Sequence, residues 1–370
     1  MKTSILAGLG LVFLNVISSA AEYAPQKGVF LQLQFSLDGS YLLAQDDSEI
    51  AILTVRPFAV LFRIPANRAR SAEFTPDSGQ IVFVSSDPPS DREKNAIRMY
   101  SPDHVERWDI ARQIRVESPP LPFFDCGSEA LSPDGRILVC VDRGGTLHAV
   151  NVTTGQTVFE KKKFARLFAN YNATGLPGSY SGELASALID FSLDARFVVA
   201  KPEGADGPAV ALNLRDPGSI PLVGELAQLR NTRSWFAWIG PDRILEAHGE
   251  PSSSKSKVRR AQIVSFPSGT TLSETAIPWG KFYRAADPHF VITRPFGGKP
   301  IIVHEGGQVL IVSDSDRAAA TELATGQVII SQTHALDVFG RYYVAEPNDG
   351  EVGLYEIGKG LRASVTLRRK

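Results

Sequence analysis

The stretch Leu131-Ser132-Pro133-Asp134-Gly135-Arg136-Ile137-Leu138-Val139, with Leu147-His148-Ala149-Val150-Asn151-Val152-Thr153-Thr154-Gly155-Gln156-Thr157-Val158 behind it, decides how this chain is read. An apolar residue enters a Pro-Asp-Gly turn and a β-rich run leaves it. Proline presets φ for the second turn position, and Asp-Gly accepts the positive φ that follows. Together these are a hairpin signature. The later stretch is a second hairpin around a small Thr-Gly turn. Two hairpins in succession make a four-stranded meander.

The same pattern recurs outward in both directions. Phe35-Ser36-Leu37-Asp38-Gly39, Phe74-Thr75-Pro76-Asp77-Ser78, Phe191-Ser192-Leu193-Asp194-Ala195 and Trp238-Ile239-Gly240-Pro241-Asp242 repeat the first hairpin. Ala286-Asp287-Pro288-His289 and Leu336-Asp337-Val338-Phe339-Gly340 are weaker copies. The second hairpin returns at Ser265-Phe266-Pro267-Ser268-Gly269, Ala324-Thr325-Gly326 and Glu356-Ile357-Gly358, and more loosely at Trp108-Asp109-Ile110-Ala111. First turns thus fall near residues 38, 77, 134, 194, 242, 287 and 339. A four-stranded unit of about 40–50 residues is the blade of a β-propeller. One blade cannot bury both faces of its sheet, whereas its neighbours in a closed ring can. The expected fold is therefore all-β, a single β-propeller of seven four-stranded blades over residues 21–370. The region 287–336 holds one strand pair too many, which leaves an inserted hairpin or a partial eighth blade as alternatives. Each unit has its own four strands in order, so ring closure is expected to rest on packing between the first and last blades, without strand exchange.

In these residues the chain resembles the WD40-like and YVTN-type propeller repeat families. Ser132–Arg136 followed by Asn151–Gly155, and the run Tyr343–Val352, carry the resemblance, which covers roughly residues 28–367. It implies architecture alone. The Gly-His and Trp-Asp signatures of intracellular WD40 repeats are mostly missing, with Trp108-Asp109 as the one echo.

Residues 1–20 read as a secretory signal peptide: Lys2, an apolar run from Ile5 to Ile17, then Ser18-Ser19-Ala20 before the cleavage point. The apolar run is shorter than the ~20 residues a membrane-spanning helix needs. No later run reaches that length, so the expectation is a secreted or periplasmic protein, monomeric and without membrane insertion. A formal net charge of -1 supplies no long-range field for nucleic acid or an anionic membrane surface.

The two cysteines, Cys126 and Cys140, flank the Ser132–Gly135 turn, and an even count in an exported chain suggests a disulfide. Pairing Leu131 with Arg136 across the turn makes the cysteines diagonal neighbours, so a bridge requires a local irregularity; two buried thiols are the alternative. Asn151-Val152-Thr153 and Asn172-Ala173-Thr174 are N-glycosylation sequons, of consequence only in a eukaryotic host.

No residue stands out as catalytic, cofactor-binding or metal-ligating. The histidines (104, 148, 248, 289, 304 and 334) lack metal-pair spacing, and no nucleophile elbow or phosphate loop is present. Asp38, Asp77, Asp134 and Asp194 read as turn formers. Arg233–Trp238 is the densest aromatic patch and reads as core between blades. Lys161–Asn172 mixes basic and aromatic residues, as a solvated strand edge or a contact for an anionic polymer. Long connections such as 87–94, 160–186, 201–208 and 249–260 all fall at the end of the ring opposite the tight turns, where a binding surface is expected. The leading functional expectation is an exported non-enzymatic scaffold that binds a protein or other macromolecular partner, with no cofactor. The alternative is a lactonase-like or quinoprotein dehydrogenase-like enzyme with a calcium or other metal site at the channel mouth.

Overall fold

The apolar runs beside each turn pair as antiparallel strands in a computed structural model of the chain. It describes residues 32–85 (except 47, 67 and 68), 104–165 (except 118–120, 122–125 and 143), 168–169, 183–184, 187–230 (except 203–208 and 217), 235–247, 258–284 (except 279–280), 286, 290–294, 301–305, 308–312, 319–323, 328–330 and 336–367 (except 347–349). The strands build seven four-stranded sheets, labelled I to VII in chain order. Sheet I holds β1 (Gln32–Phe35), β2 (Tyr41–Gln45), β3 (Glu49–Val55) and β4 (Phe58–Pro65). Sheet II holds β5 (Arg70–Phe74), β6 (Gln80–Ser85), β7 (His104–Asp109) and β8 (Ile114–Glu117). Sheet III holds β9 (Cys126–Leu131), β10 (Ile137–Asp142), β11 (Leu147–Asn151) and β12 (Thr157–Lys161), and a two-stranded hairpin follows, β13 (Phe168–Ala169) with β14 (Glu183–Leu184). Sheet IV holds β15 (Ala187–Phe191), β16 (Phe197–Pro202), β17 (Val210–Asn213) and β18 (Gly218–Ile220). A short 3-10 helix, Gly224–Arg230, leads to sheet V: β19 (Trp235–Trp238), β20 (Arg243–Ala247), β21 (Val258–Ser265) and β22 (Thr271–Pro278).

Six of the seven sheets are uninterrupted meanders. Sheet VI is the exception: β23 (Lys281–Arg284), β24 (Phe290–Arg294), β27 (Ala319–Glu322) and β28 (Val328–Ile330) pair in that order, and β25 (Ile301–Glu305) with β26 (Gln308–Val312) forms a separate hairpin between the second and third strands. The surplus strand pair anticipated at 287–336 is thus an insertion. Sheet VII, β29 (Leu336–Phe339), β30 (Tyr342–Ala345), β31 (Glu351–Glu356) and β32 (Gly360–Thr366), takes no strand from sheet I, and sheet I takes none from it.

The core lies between sheets. Successive residues of a strand face opposite ways, and each face finds a different neighbour. Leu42 and Leu53 pack with Val344, Val352 and Leu354 of sheet VII, whereas Leu43, Ile50 and Ile52 pack with Phe74, Ile81 and Phe83 of sheet II. Val82 and Val84 then meet Leu131 and Leu138 of sheet III. Val139 and Val141 meet Val198 and Ala200 of sheet IV, and Val199 and Ala211 meet Phe236 and Trp238 of sheet V. Second strands are consequently buried along most of their length and largely apolar, as in Ile137–Val141, because both their faces are covered. Outer strands alternate or stay exposed, as in β32.

Two aspartates tie first strands together across sheets. Asp190 on β15 accepts the N–H of its own neighbour Phe191 (2.9 Å) and, through its other oxygen, the N–H of Trp238 on β19 (2.7 Å). Asp337 on β29 repeats the arrangement: it accepts Val338 N–H (2.8 Å) and Phe35 N–H on β1 (2.7 Å), and also Ala286 N–H (3.0 Å) from the β23–β24 connection. The junction of sheet VII with sheet I is thus built like the junction of sheet IV with sheet V, although Asp337 and Phe35 lie 302 residues apart.

The register at the central turn differs from the expected one. Leu131 pairs with Leu138, two residues beyond Arg136, because Ser132 and Ile137 close the loop themselves: Ser132 N–H donates to Ile137 O (2.8 Å) and Ile137 N–H to Ser132 Oγ (2.9 Å). Cys140 then sits opposite Glu129, and a shift between Val141 and Asp142 sets Cys126 opposite Asp142. The cysteines are diagonal neighbours across this bulge, joined by a disulfide with 5.6 Å between their Cα atoms. Both are buried.

Candidate functional site

In an antiparallel meander the first-to-second and third-to-fourth connections fall at one end of the sheet, and all the others at the opposite end. The first end is uniformly tight. Its turns span 36–40, 75–79, 132–136 and 192–196 in sheets I to IV, shrinking to 340–341 in sheet VII. The second end receives 86–103, 162–186, 221–234, 248–257 and 295–318.

At the tight end one hydrogen-bond device repeats. Ser36, Thr75, Ser132 and Ser192 each donate their hydroxyl to the aspartate two residues on, at 2.6 Å (Asp38), 2.6 Å (Asp77), 2.7 Å (Asp134) and 2.9 Å (Asp194). The same carboxylate oxygen accepts the N–H of the residue two further on: Ser40, Gly79, Arg136 and Arg196. The hydroxyl oxygen in turn accepts the N–H that starts the next strand, as Tyr41, Gln80, Ile137 and Phe197 show. The residue after each aspartate has positive φ: Gly39 (69), Ser78 (57), Gly135 (68) and Ala195 (54). The Thr75 hydroxyl, then the Gly79 N–H, hold the Asp77 carboxyl below its ordinary range. Partial burial pushes Asp38 upward, but the Ser36 hydroxyl and the Ser40 N–H outweigh it and leave that carboxyl lowered too. These four aspartates are committed to their own turns.

Neighbouring turns also hold one another. Asp38 N–H donates to Ser78 Oγ (3.3 Å), and the Arg107 guanidinium donates to Asp134 O (2.9 Å). Two concavities open between the turns. One, of about 600 Å³, lies between sheets II and III, where Asp77, Arg107, Asp134 and Arg136 meet. The other, of about 420 Å³, lies between sheets I and VII, with Arg56, Arg341 and Tyr342 among its lining. Sequence reasoning looked to the opposite end and missed both. Their signal in the sequence is slight: an arginine beside a turn, and one turn shorter than its copies.

The expected sites fall as follows. Of the Arg233–Trp238 patch, Phe236 and Trp238 are buried between sheets IV and V, Trp238 packs edge-on against Phe266 (4.9 Å), and its indole N–H donates to Asp190 O (3.1 Å); 233–234 lie outside the described residues. His148 is buried on β11, with Nε2 2.9 Å from Asp142 and Nδ1 3.8 Å from Glu160. It lies directly opposite Cys140, so this polar row sits beside the disulfide. His104 lies on β7, opposite Ser85. His304 lies on β25, and His248, His289 and His334 fall outside the described residues. Among the described residues no three His, Cys, Asp or Glu side chains gather to hold a metal ion. Asn151 ends β11 and its side-chain oxygen accepts Thr154 N–H (3.0 Å); Asn172 is outside the described residues. Of the basic–aromatic stretch, Lys162 and Lys163 are exposed and Phe164 is buried, and 170–172 are not described. Most of the long connections (86–103, 170–182, 203–208 and 248–257) likewise lie outside the described residues. No helix among the described residues is long and apolar enough to cross a membrane.

No protein-family model matches the chain, and no curated protein matches it. A reading of function therefore has to come from the geometry.

Proposed function

We propose that the chain is an exported seven-bladed β-propeller that acts as a binding scaffold and engages a macromolecular partner through its long-connection face. The observation that carries this reading is the inequality of the two ends. Connections of five residues or fewer at the tight end face insertions such as 86–103 and 295–318 at the other. Long connections on a rigid frame are where binding surfaces are built, since the frame tolerates their variation. The frame is rigid on the evidence of its junctions: both faces of the second strands are buried, and Asp190 and Asp337 bond first strands across sheets. The cyclic order of inter-sheet packing, from I to VII and back to I, with sheet V meeting VI beside Leu323 and β27 of sheet VI meeting β29 of sheet VII, supports the propeller of seven blades. The carboxylates that recur most regularly are engaged by turn amides and hydroxyls, which favours a scaffold over an enzyme that would need such groups at an axis.

The test is site-specific photo-crosslinking in the native host, with probes at positions 92, 205 and 253 on one face and at Gln113, Arg136 and Lys359 on the other. One adduct of fixed mass from the long-connection probes alone supports the reading. An adduct from the tight-turn probes alone, or from both sets equally, overturns it. Mass spectrometry of the mature N-terminus tests export, with Ala21 expected as the first residue. Elemental analysis of chelator-free protein tests the enzyme alternative. A stoichiometric metal would move the search to the channel mouth.

A further inference from the structure

The concavity between sheets I and VII has a definite origin. In sheets I to IV the first turn is a five-residue loop, and in sheet I it leans over the preceding sheet, so that a Cβ on Gly39 would overlap the Phe339 ring. In sheet VII that loop is replaced by Gly340-Arg341 alone, and a Cβ at Gly340 would meet nothing within 4 Å. The missing loop leaves a solvent-open cavity of about 420 Å³. That volume falls within the range of small-molecule sites, about 300–1,000 Å³.

The lining has two characters. Phe339 supplies a partly exposed aromatic wall, backed by the buried Phe35 ring 6.1 Å away and tilted at 44°. Arg56 and Arg341 supply charge, each stacked by the Tyr342 ring at 5.4 and 5.6 Å from its centroid. A stacked guanidinium keeps its planar fork of N–H donors for a carboxylate or phosphate. The positive charge is incompletely matched. Among the described residues Arg56 has no carboxylate within ion-pair distance. Arg341 reaches Glu356 at 3.8 Å, but Glu356 is already bound more closely by Lys359 (2.7 Å) and Arg362 (2.8 Å). The one acidic group in the lining, Asp38, has an oxygen engaged by the Ser36 hydroxyl and the Ser40 N–H.

We propose that this cavity binds an anionic group carried on a compact aromatic body, the anion on Arg56 and Arg341 and the ring against Phe339. The anion can belong to a free small acid or to the C-terminal residue of a peptide chain. The site lies at the tight-turn end and stands or falls independently of a partner on the opposite face.

The test is calorimetric titration of the mature protein with N-acetylphenylalanine, N-acetylphenylalaninamide, inorganic phosphate and a tetrapeptide ending in phenylalanine. N-acetylphenylalanine is expected to bind one-to-one, with the amide weaker by about tenfold or more, the scale of a lost charged hydrogen bond, and inorganic phosphate weaker by a similar factor because it buries no ring. Arg56→Ala and Arg341→Ala are each expected to weaken the acid by about tenfold while leaving the melting temperature in place. A second variant rebuilds the five-residue loop at 340–341; it is expected to abolish binding while the fold persists. A tetrapeptide that binds as tightly as the acid supports the site with a chain terminus as its source, and one that fails while the acid binds supports it with a free ligand. Saturation absent at about 10 mM, far weaker than the range of specific sites, overturns the proposal. So do equal affinities for acid and amide, equal affinities for acid and inorganic phosphate, or arginine variants that bind unchanged.

Discussion

Replacing Asp337 by alanine would remove the acceptor of three backbone N–H groups, on sheet I, on sheet VII and in the β23–β24 connection of sheet VI. The residue is 1% exposed, and its donors are Phe35, Val338 and Ala286 at 2.7, 2.8 and 3.0 Å. A hydrogen bond to a charged group contributes about 1.5–3 kcal/mol, and a buried donor left behind costs about 1–3 kcal/mol. These terms overlap, so the expected loss is about 4 kcal/mol for Asp337→Ala, large among point substitutions. Asp190→Ala removes the acceptor of two such N–H groups from a half-buried position and should cost less, about 2 kcal/mol. Asp337→Asn keeps one acceptor oxygen and should fall between alanine and wild type. The assay is urea unfolding followed by tryptophan fluorescence, with amide exchange to locate the change. Exchange should accelerate at Phe35 and Val338 first. A loss below about 1 kcal/mol for Asp337→Ala, within the range of an ordinary surface change, or one smaller than that of Asp190→Ala, would refute the view that this carboxylate fastens the last sheet to the first.

The left-handed turn position gives a paired prediction. Ala195 holds φ 54, so Ala195→Gly should stabilise by up to about 1 kcal/mol. Gly39→Ala, against the Phe339 ring, should lower stability by about 2 kcal/mol or more in the same denaturation assay. Breaking the Cys126–Cys140 bridge with paired serines should cost about 3 kcal/mol from the short loop it closes, read as a fall in denaturation midpoint that reductant reproduces in the wild type. Acid should loosen the turns. Because the folded Asp77 carboxyl is lowered, its contribution is complete above its unfolded pKa, near 3.9, and is lost as pH falls through the lower folded value. Melting temperature should therefore start to drop as pH falls below about 4, and Asp77→Asn should flatten that slope.

What the sequence disclosed is the chemistry that acts over a few residues. Ser132, Asp134 and Gly135 make their turn by bonding one another, so the same letters at Ser36, Thr75 and Ser192 announce the same hairpin. The finer register was misjudged by two residues because the Ser132 hydroxyl draws Ile137 into the loop closure, a contact that turn propensities alone do not contain. Junctions between sheets were harder still. An aspartate inside an apolar first strand, as in Asp190-Phe191 and Asp337-Val338, is a signal that something must donate to its carboxylate. The donors it found, Trp238 and Phe35, are distant in sequence. The tight-end concavities were hidden for a related reason: they exist by virtue of a shortened turn in one sheet and an arginine from another.

That each sheet contains only its own consecutive strands has a mechanical consequence. Within every sheet, neighbouring strands resist separation by a ladder of backbone hydrogen bonds, and the polypeptide itself links I to II and so on through VI to VII. Between VII and I no chain crosses among the described residues and no ladder forms. The link is apolar packing, Asp337 on Phe35 N–H, and the Arg63 guanidinium on Leu367 O at 2.8 Å. A load pulling the first and last sheets apart would meet its weakest joint there. Sheets I and VII would part like the ends of a bracelet at its clasp, and the six chain links between successive sheets would remain to guide reclosure.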